Sequence, residues 1–235
     1  MTTLILAPDT FAGAEARVEG DAYRHLFRAR RLAVGDRLRV VDGAGRARWA
    51  EVSAVDRRSG SLRLLEPAPA NEPGYRLELL VATPKPERAS WLVEKATEIG
   101  VTGVRFVSSE RSPRSFGLGS LERLLRVAAA ATEQSGRSRV PAVTGVHRWA
   151  EVPALLEGLP DRWFLHPQAA AGGGDPWRRG GAAGAVLIGP EGGWSEGEAQ
   201  ELGTLGCRPV GLGERVLRVE TAAVVAAAAV LAPVP

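Results

Sequence analysis

Two stretches hold residue types from which a binding site for a flat, polar molecule can be built. "VLIGPEGGWSEGEA", residues 186–199, is an apolar run that breaks at Gly189, Pro190, Glu191, Gly192 and Gly193 and resumes as a polar segment. Ser195 and Glu198 there have the spacing of a helix-capping box, so a helix is expected to begin at Ser195 or Glu196. So bare a turn is either a plain tight connection or a place where something must approach the main chain closely. "VGLGERVLRVETAA", residues 210–223, repeats the arrangement: a short apolar run, a glycine turn, then an alanine-rich helix. Between Gly213 and Thr221 apolar and charged residues alternate with no evident sheet to hold them. In open α/β sheets ligands sit beyond the carboxyl ends of strands, and two such turns facing each other would sandwich a planar ring. Neither turn has the lysine and spacing of a phosphate-cradling P-loop, nor the dinucleotide-binding fingerprint.

The elements that must position these turns follow from the apolar pattern. From residue 75 onward strands alternate with helices, the grammar of a mainly parallel α/β sheet. "YRLELLVAT", "GVRFVSS", "RWFLHP", "AAGAVLIGP" and "RPVGLG" read as strands. "PERASWLVEKATEIG" reads as a helix with Ala89, Leu92, Val93, Ala96 and Ile99 on one face and Gly100 as its stop. "SLERLLRVAAAATEQSG" is a second helix, expected from Ser120 to near Gly136, and the middle of the glycine-rich stretch 172–184 is expected to be a loop. The first seventy residues are β-rich instead. Strands are expected at 37–41, 47–55 and 61–65, preceded by a short helix capped by Asp21 with Leu26 and Phe27 facing inward and Gly35 closing the turn. "EPAPANEPGYR", with three prolines in eleven residues, reads as a linker near Asn71, so domains are expected over 1–70 and 74–235.

Composition narrows the class. The 235 residues are 45% apolar, enough for one large or two small cores, and carry a net charge of +3. No signal peptide or membrane-spanning run is evident, and a cytoplasmic location is expected. Cys207 is the single cysteine and the histidines are three and scattered, so neither a disulfide nor a metal site is expected. Of 30 basic residues only Lys85 and Lys95 are lysines. Residues 105–139 hold seven arginines against three glutamates, and "YRHLFRARR" gathers Arg24, His25, Arg28, Arg30 and Arg31. Two arginine-rich clusters suggest a polyanion as partner. His147 and Trp194 read as surface or packing residues.

"IGPEGGWS" followed by "LGERVLRVETAA" resembles the C-terminal signature of the SPOUT methyltransferases, the class with a deep trefoil knot. More closely it resembles the branch that methylates N3 of a uridine in small-subunit (16S) ribosomal RNA. "EKATEIGV" (94–101) and "EQSGRSRVP" (133–141) resemble that branch's central motifs, and "HLFRARRLAVGD" (25–36) the entry to its PUA-like RNA-binding barrel. The resemblance implies an α/β knotted C-terminal domain behind a small N-terminal PUA-like β-barrel, a homodimer, and S-adenosyl-L-methionine as cofactor. Lys85 matches a lysine common in the family, but "TPKPERAS" departs from the usual glycine- and aspartate-rich surroundings.

Carried over by position, His166, Gly189, Pro190, Glu191, Gly192, Gly193, Leu212, Gly213, Val216 and Leu217 are the expected cofactor-binding residues. Methyl transfer to a uridine N3 needs alignment of the two partners and loss of the N3 proton. The matching motifs offer Arg218 and Arg137 to position substrate or stabilise the imide anion, and Glu220 or Glu133 as base. Structural alternatives stay open: Glu220 favouring the dipole of the helix that follows, and Glu133 pairing with Arg137. Arg24, Arg28, Arg30, Arg31, Arg111 and Arg114 are the expected contacts to the RNA backbone. The competing readings are a transfer-RNA methyltransferase of the same fold and a non-enzymatic RNA-binding protein.

Overall fold

The computed structural model describes residues 2–112, 118–167, 169 and 175–232, with residue 118 in backbone only. Arg114 and residues 172–174 of the glycine-rich stretch therefore lie outside the described residues. The chain forms two compact units, Met1–Glu72 with Ala129–Val140, and Pro73–Ala128 with Pro141–Pro235.

In the first unit a curled sheet is built from β1 (Thr3–Ile5), β2 (Glu15–Glu19), β3 (Arg37–Val41), β4 (Ala47–Val55) and β5 (Ser59–Pro67), in the order β1-β3-β4-β5-β2. β1 runs parallel to β3 and the other pairs are antiparallel. Alternation puts Ala16, Val18, Leu38, Val40, Ala50, Val52, Leu62 and Leu64 into one core with Leu26 and Phe27. β3 and β4 occupy the expected spans and β5 is longer. β1 and β2, three and five residues long, are additional to the expected strands: β1 is too short to show a period and is a strand through its pairing to β3, and β2 alternates over only five residues. The ring of Phe27 fills the space a Cβ at Gly60 would need, which accounts for a glycine inside a strand.

Two helical turns precede β3: α1 (Pro8–Ala12) and α2 (Gly20–Tyr23), the latter continuing as a π-helical turn over Arg24–Ala29. Glu19, not Asp21, occupies the N-cap of α2, and Gly35 takes a φ of 91° as its turn role requires.

The second unit is a six-stranded sheet, parallel throughout. Its strands are β6 (Arg76–Ala82), β7 (Gly103–Val107), β8 (Ala142–His147), β9 (Asp161–Leu165), β10 (Ala183–Ile188) and β11 (Arg208–Val210), in the order β11-β9-β10-β6-β7-β8. β6 and β10 are the central pair and are apolar almost without break, as strands covered on both faces must be. The helices are α3 (Pro86–Ile99), α4 (Leu118–Ser135), α5 (Val152–Leu155), α6 (Glu196–Thr204) and α7 (Val219–Leu231). Gly100 ends α3 at φ 115°, and the α3 face expected to be apolar is buried at Ala89, Leu92, Val93 and Ala96. α4 begins two residues before the expected Ser120, and α7 includes Glu220 in its first turn, where the sequence places it just before the helix.

The end of α4 and the residues after it belong to the first unit. There Glu133 accepts from the Ile5 N–H (2.9 Å), and Glu72 accepts from the Ser138 and Arg139 N–H groups (2.9 Å each) and from Arg137 Nη2 (2.7 Å). Buried Arg39 donates to the carbonyls of Gly136 and Pro69. The "EQSGRSRVP" motif is thus a segment whose backbone is gathered onto one carboxylate.

Candidate functional site

Three neighbouring parallel strands, β10, β9 and β11, end on one side of the sheet, and their carboxyl ends open into a single cleft. The turn after β10 supplies Gly189, Pro190, Glu191 and Gly193; the end of β9 supplies His166; the segment after β11 supplies Leu212, Gly213, Val216 and Leu217. The structure therefore brings the two glycine turns, read separately in the sequence, to face one cavity. Gly192 sits in the same turn without lining it. Residues 214–218 form no strand, and Val216 is 94% exposed, an apolar side chain standing in water at the cleft.

The glycines have distinct local reasons. Gly193 takes φ 72° and Gly213 φ 93°, a left-handed backbone that costs any other L-residue about 1–2 kcal/mol. At Gly189 a Cβ would come within 3.0 Å of the Trp194 indole. Trp194, read from sequence as a surface or packing residue, is buried, packs at a tilt against Trp149 with ring centroids 5.5 Å apart, and lines the cleft as well. Its Nε1 has no hydrogen-bond partner among the described residues. His147, read alike, is half-buried and lies within 2.8 Å of Thr144 Oγ1.

The turn is tied down on several sides. The capping box forms as expected: Ser195 Oγ accepts from the Glu198 N–H (3.2 Å), and Glu198 accepts from the Ser195 N–H (2.9 Å). Glu198 also accepts from the Glu110 N–H (2.8 Å), so one buried carboxylate joins two loops. Arg111 Nη1 donates to the Gly192 carbonyl (2.7 Å), and Arg88, on the first turn of α3, donates to Glu191 (3.1 Å). Arg88 Nε also lies 3.7 Å from Glu220. Neither Arg88 nor Glu198 was singled out in the sequence as a site residue: Glu198 is legible as half of a capping box and Arg88 only as part of a helix, and the partners that matter are far along the chain.

The remaining charged candidates divide. Arg218 is the exposed N-cap residue of α7 and makes no side-chain capping bond. Glu220 is buried, its side chain only 10% exposed, and its Oε2 has no partner among the described residues. Glu133 and Arg137 belong to the first unit, held as described above. Arg24, Arg28, Arg30 and Arg31 are all exposed; Arg24 pairs with Asp21, and Arg28 reaches the Arg57 carbonyl (3.3 Å). Lys85 is the exposed N-cap residue of α3. Among the described residues no cluster of metal-ligating side chains occurs, and no helix is long and apolar enough to cross a membrane.

Residues 71–231 match the family profile described as an RNA methyltransferase domain, and residues 18–65 match an RNA methyltransferase PUA domain. The chain is 32% identical to ribosomal RNA small subunit methyltransferase E of Mycobacterium bovis over 95% of its own length and 87% of the relative's. It is 25% identical to the protein of that name from Bacillus subtilis, over 91% of this chain and 88% of the relative. Among solved structures, ribosomal RNA small subunit methyltransferase E from Neisseria gonorrhoeae, bound to S-adenosyl methionine, superposes with a TM-score of 0.87 at 28% identity, covering 97% of this chain and 96% of that one. A probable rRNA-methyltransferase from Porphyromonas gingivalis gives 0.81 at 33% identity, with 97% and 95% covered. The expected fold class is borne out: a knotted α/β domain of the SPOUT type behind a small PUA-like β-barrel.

Proposed function

This chain belongs to the RNA methyltransferase family, and from that membership we propose that it transfers the methyl group of S-adenosylmethionine to N3 of a uridine in small-subunit (16S) ribosomal RNA. The observation that carries the reading is the cleft into which the turns after β10 and β11 both open, with Val219 of the first turn of α7 among its lining residues.

The residues present suit the cofactor. Leu212, Leu217 and Val210 offer apolar surface to a purine, the glycine turns leave backbone groups accessible, and Glu191 and Glu214 complement a sulfonium charge. Exposed Val216 is the side chain that a bound ligand would cover. When bound, S-adenosylmethionine supplies an electrophilic methyl group whose bond to sulfur breaks as the bond to N3 forms. What the chain must provide is alignment and a destination for the N3 proton, since the neutral imide is a poor nucleophile. Glu220, with one carboxylate oxygen uncommitted, takes up that proton. Arg218, exposed at the start of α7, holds the substrate and favours the imide anion. Glu133 and Arg137, each bonded within the first unit, keep their motif in shape rather than reacting.

Residues 1–70 are assigned to RNA binding, with Arg24, Arg28, Arg30 and Arg31 on phosphates, and residues 74–235 to methyl transfer. Arg111 keeps N–H groups beyond Nη1 that can reach RNA. The working form is read as a cytoplasmic homodimer.

The test is transfer of labelled methyl from S-adenosylmethionine to small ribosomal subunits from a strain lacking this protein, followed by nucleoside mass spectrometry. N3-methyluridine in the subunits is the expected product. Label confined to transfer RNA would overturn the substrate, and no label with no cofactor binding would favour a non-enzymatic RNA-binding protein.

A further inference from the structure

Arg88 joins two carboxylates that the chain brings from two separate elements, one of them a turn that lines the cleft. Glu191 comes from the turn after β10 and Glu220 from the first turn of α7, and between them they contact one guanidinium, at 3.1 Å and 3.7 Å. Arg88 itself sits three residues into α3, its side chain 30% exposed, and belongs to neither turn. An isolated surface pair of this kind would do little. Here one partner is different: Glu220 is nine-tenths buried, its Oε1 lies 3.7 Å from Arg88 Nε, and its Oε2, buried as well, has no hydrogen-bond partner among the described residues. A buried carboxylate that loses its cation is strongly disfavoured, so Arg88 bears on Glu220 more than distance alone suggests. Arginine's planar fork can address two acceptors at fixed angles, which a lysine's point charge cannot.

We propose that Arg88 is a positioning residue for methyl transfer: it fixes the cofactor turn through Glu191 and aims the proton acceptor through Glu220. This rests on the reading of Glu220 as the group that receives the N3 proton. The two contacts then make separable contributions, one to cofactor affinity and one to turnover.

The experiment uses the full chain in four variants, R88Q, R88K, E191Q and R88Q/E191Q. Dissociation constants for S-adenosylmethionine are measured by calorimetry, and kcat on small subunits is measured at saturating cofactor. R88Q is expected to weaken cofactor binding by about fivefold or more, with R88Q/E191Q no weaker than the weaker single variant, because both remove the same contact. It is also expected to lower kcat at saturating cofactor by about tenfold or more, a larger factor than E191Q produces. R88K, which keeps the charge and loses the fork, is expected to recover cofactor affinity more fully than kcat. R88Q with both quantities within about twofold of wild type, or effects of R88Q and E191Q that multiply, would overturn the proposal. Should R88Q fail to fold, R88K decides: lowered kcat at an unchanged melting temperature supports it, and wild-type kcat sinks it. A wild-type chain that binds cofactor but never labels subunits would refute the proposed function, while calorimetry would still read the Arg88–Glu191 contact.

Discussion

At the scale of single residues, the glycines of the site answer to different demands. Gly193 and Gly213 are needed for backbone sign and Gly189 for the Trp194 ring beside it. Gly193→Ala should therefore cost the turn about 1–2 kcal/mol, equivalent to a roughly 5- to 30-fold rise in the dissociation constant for S-adenosylmethionine. Calorimetry on the variant checks this, and unchanged affinity would mean that the turn is not part of the cofactor site. The glycines themselves were legible in the sequence, since a run of them between an apolar strand and a capped helix has few explanations. Their individual tasks were not, because φ and the position of an indole five residues away are set by the folded turn. Arg88 and the carboxylate of Glu220 show the same limit more sharply. They are 132 positions apart in the chain, and no local pattern announces that they meet.

At the scale of elements, α6 shows local signals and long-range bonds acting on one residue. Ser195 and Glu198 form the capping box that their spacing announces. Glu198 then uses the same carboxylate to hold the Glu110 N–H, 88 residues earlier. Ser195→Ala should lower stability by about 1 kcal/mol through the lost cap, read as a shift in the denaturation midpoint. Glu198→Ala should cost more, since it also leaves the Glu110 and Ser195 N–H groups without their acceptor; equal losses in the two variants would refute the shared role. Long amphipathic or fully apolar elements, α3, β6 and β10, were readable from their periodicity alone. Short ones were not: β1 and α5 are three and four residues long, and become regular through the neighbours they pack on.

At the scale of the molecule, charge and acid sensitivity provide the tests. Neutralising Arg24, Arg28, Arg30 and Arg31 together should weaken binding to ribosomal RNA and reduce the salt dependence of log K by up to about 3. Cofactor binding by the second unit should be unchanged; an unaltered salt slope would place the RNA elsewhere. Acid should act on both units. Burial would raise the Asp161 carboxyl, but the Gly180 and Gly181 N–H groups and the Tyr75 hydroxyl donate to it and hold it below the usual range. Asp42 is likewise held down, against its burial, chiefly by Arg46. Groups depressed in the folded state stabilise fully above their unfolded value, about pH 3.9, and lose that contribution as pH falls through the folded one. Thermal melting should therefore drop below about pH 4, and Asp161→Asn should flatten that drop while lowering stability at neutral pH. Cys207, pushed up to about 11 by burial, should resist thiol reagents at pH 8 in the folded chain.

What the sequence by itself determined was the class of each half, the β-rich start and the strand–helix alternation after residue 75, because periodicity is a local record of which face is buried. The paired turns and their capping box were equally local, and their resemblance to a methyltransferase signature carried the fold and the function with them. Only the tertiary structure decided that β11, β9 and β10 lie side by side and open the two turns into one cleft. It also decided that Glu72 gathers the segment after α4 into the first unit, and that Arg88 stands between Glu191 and Glu220. Strand order and ion pairing join residues scores of positions apart, and burial of charge rewards such meetings only after the chain has closed on itself.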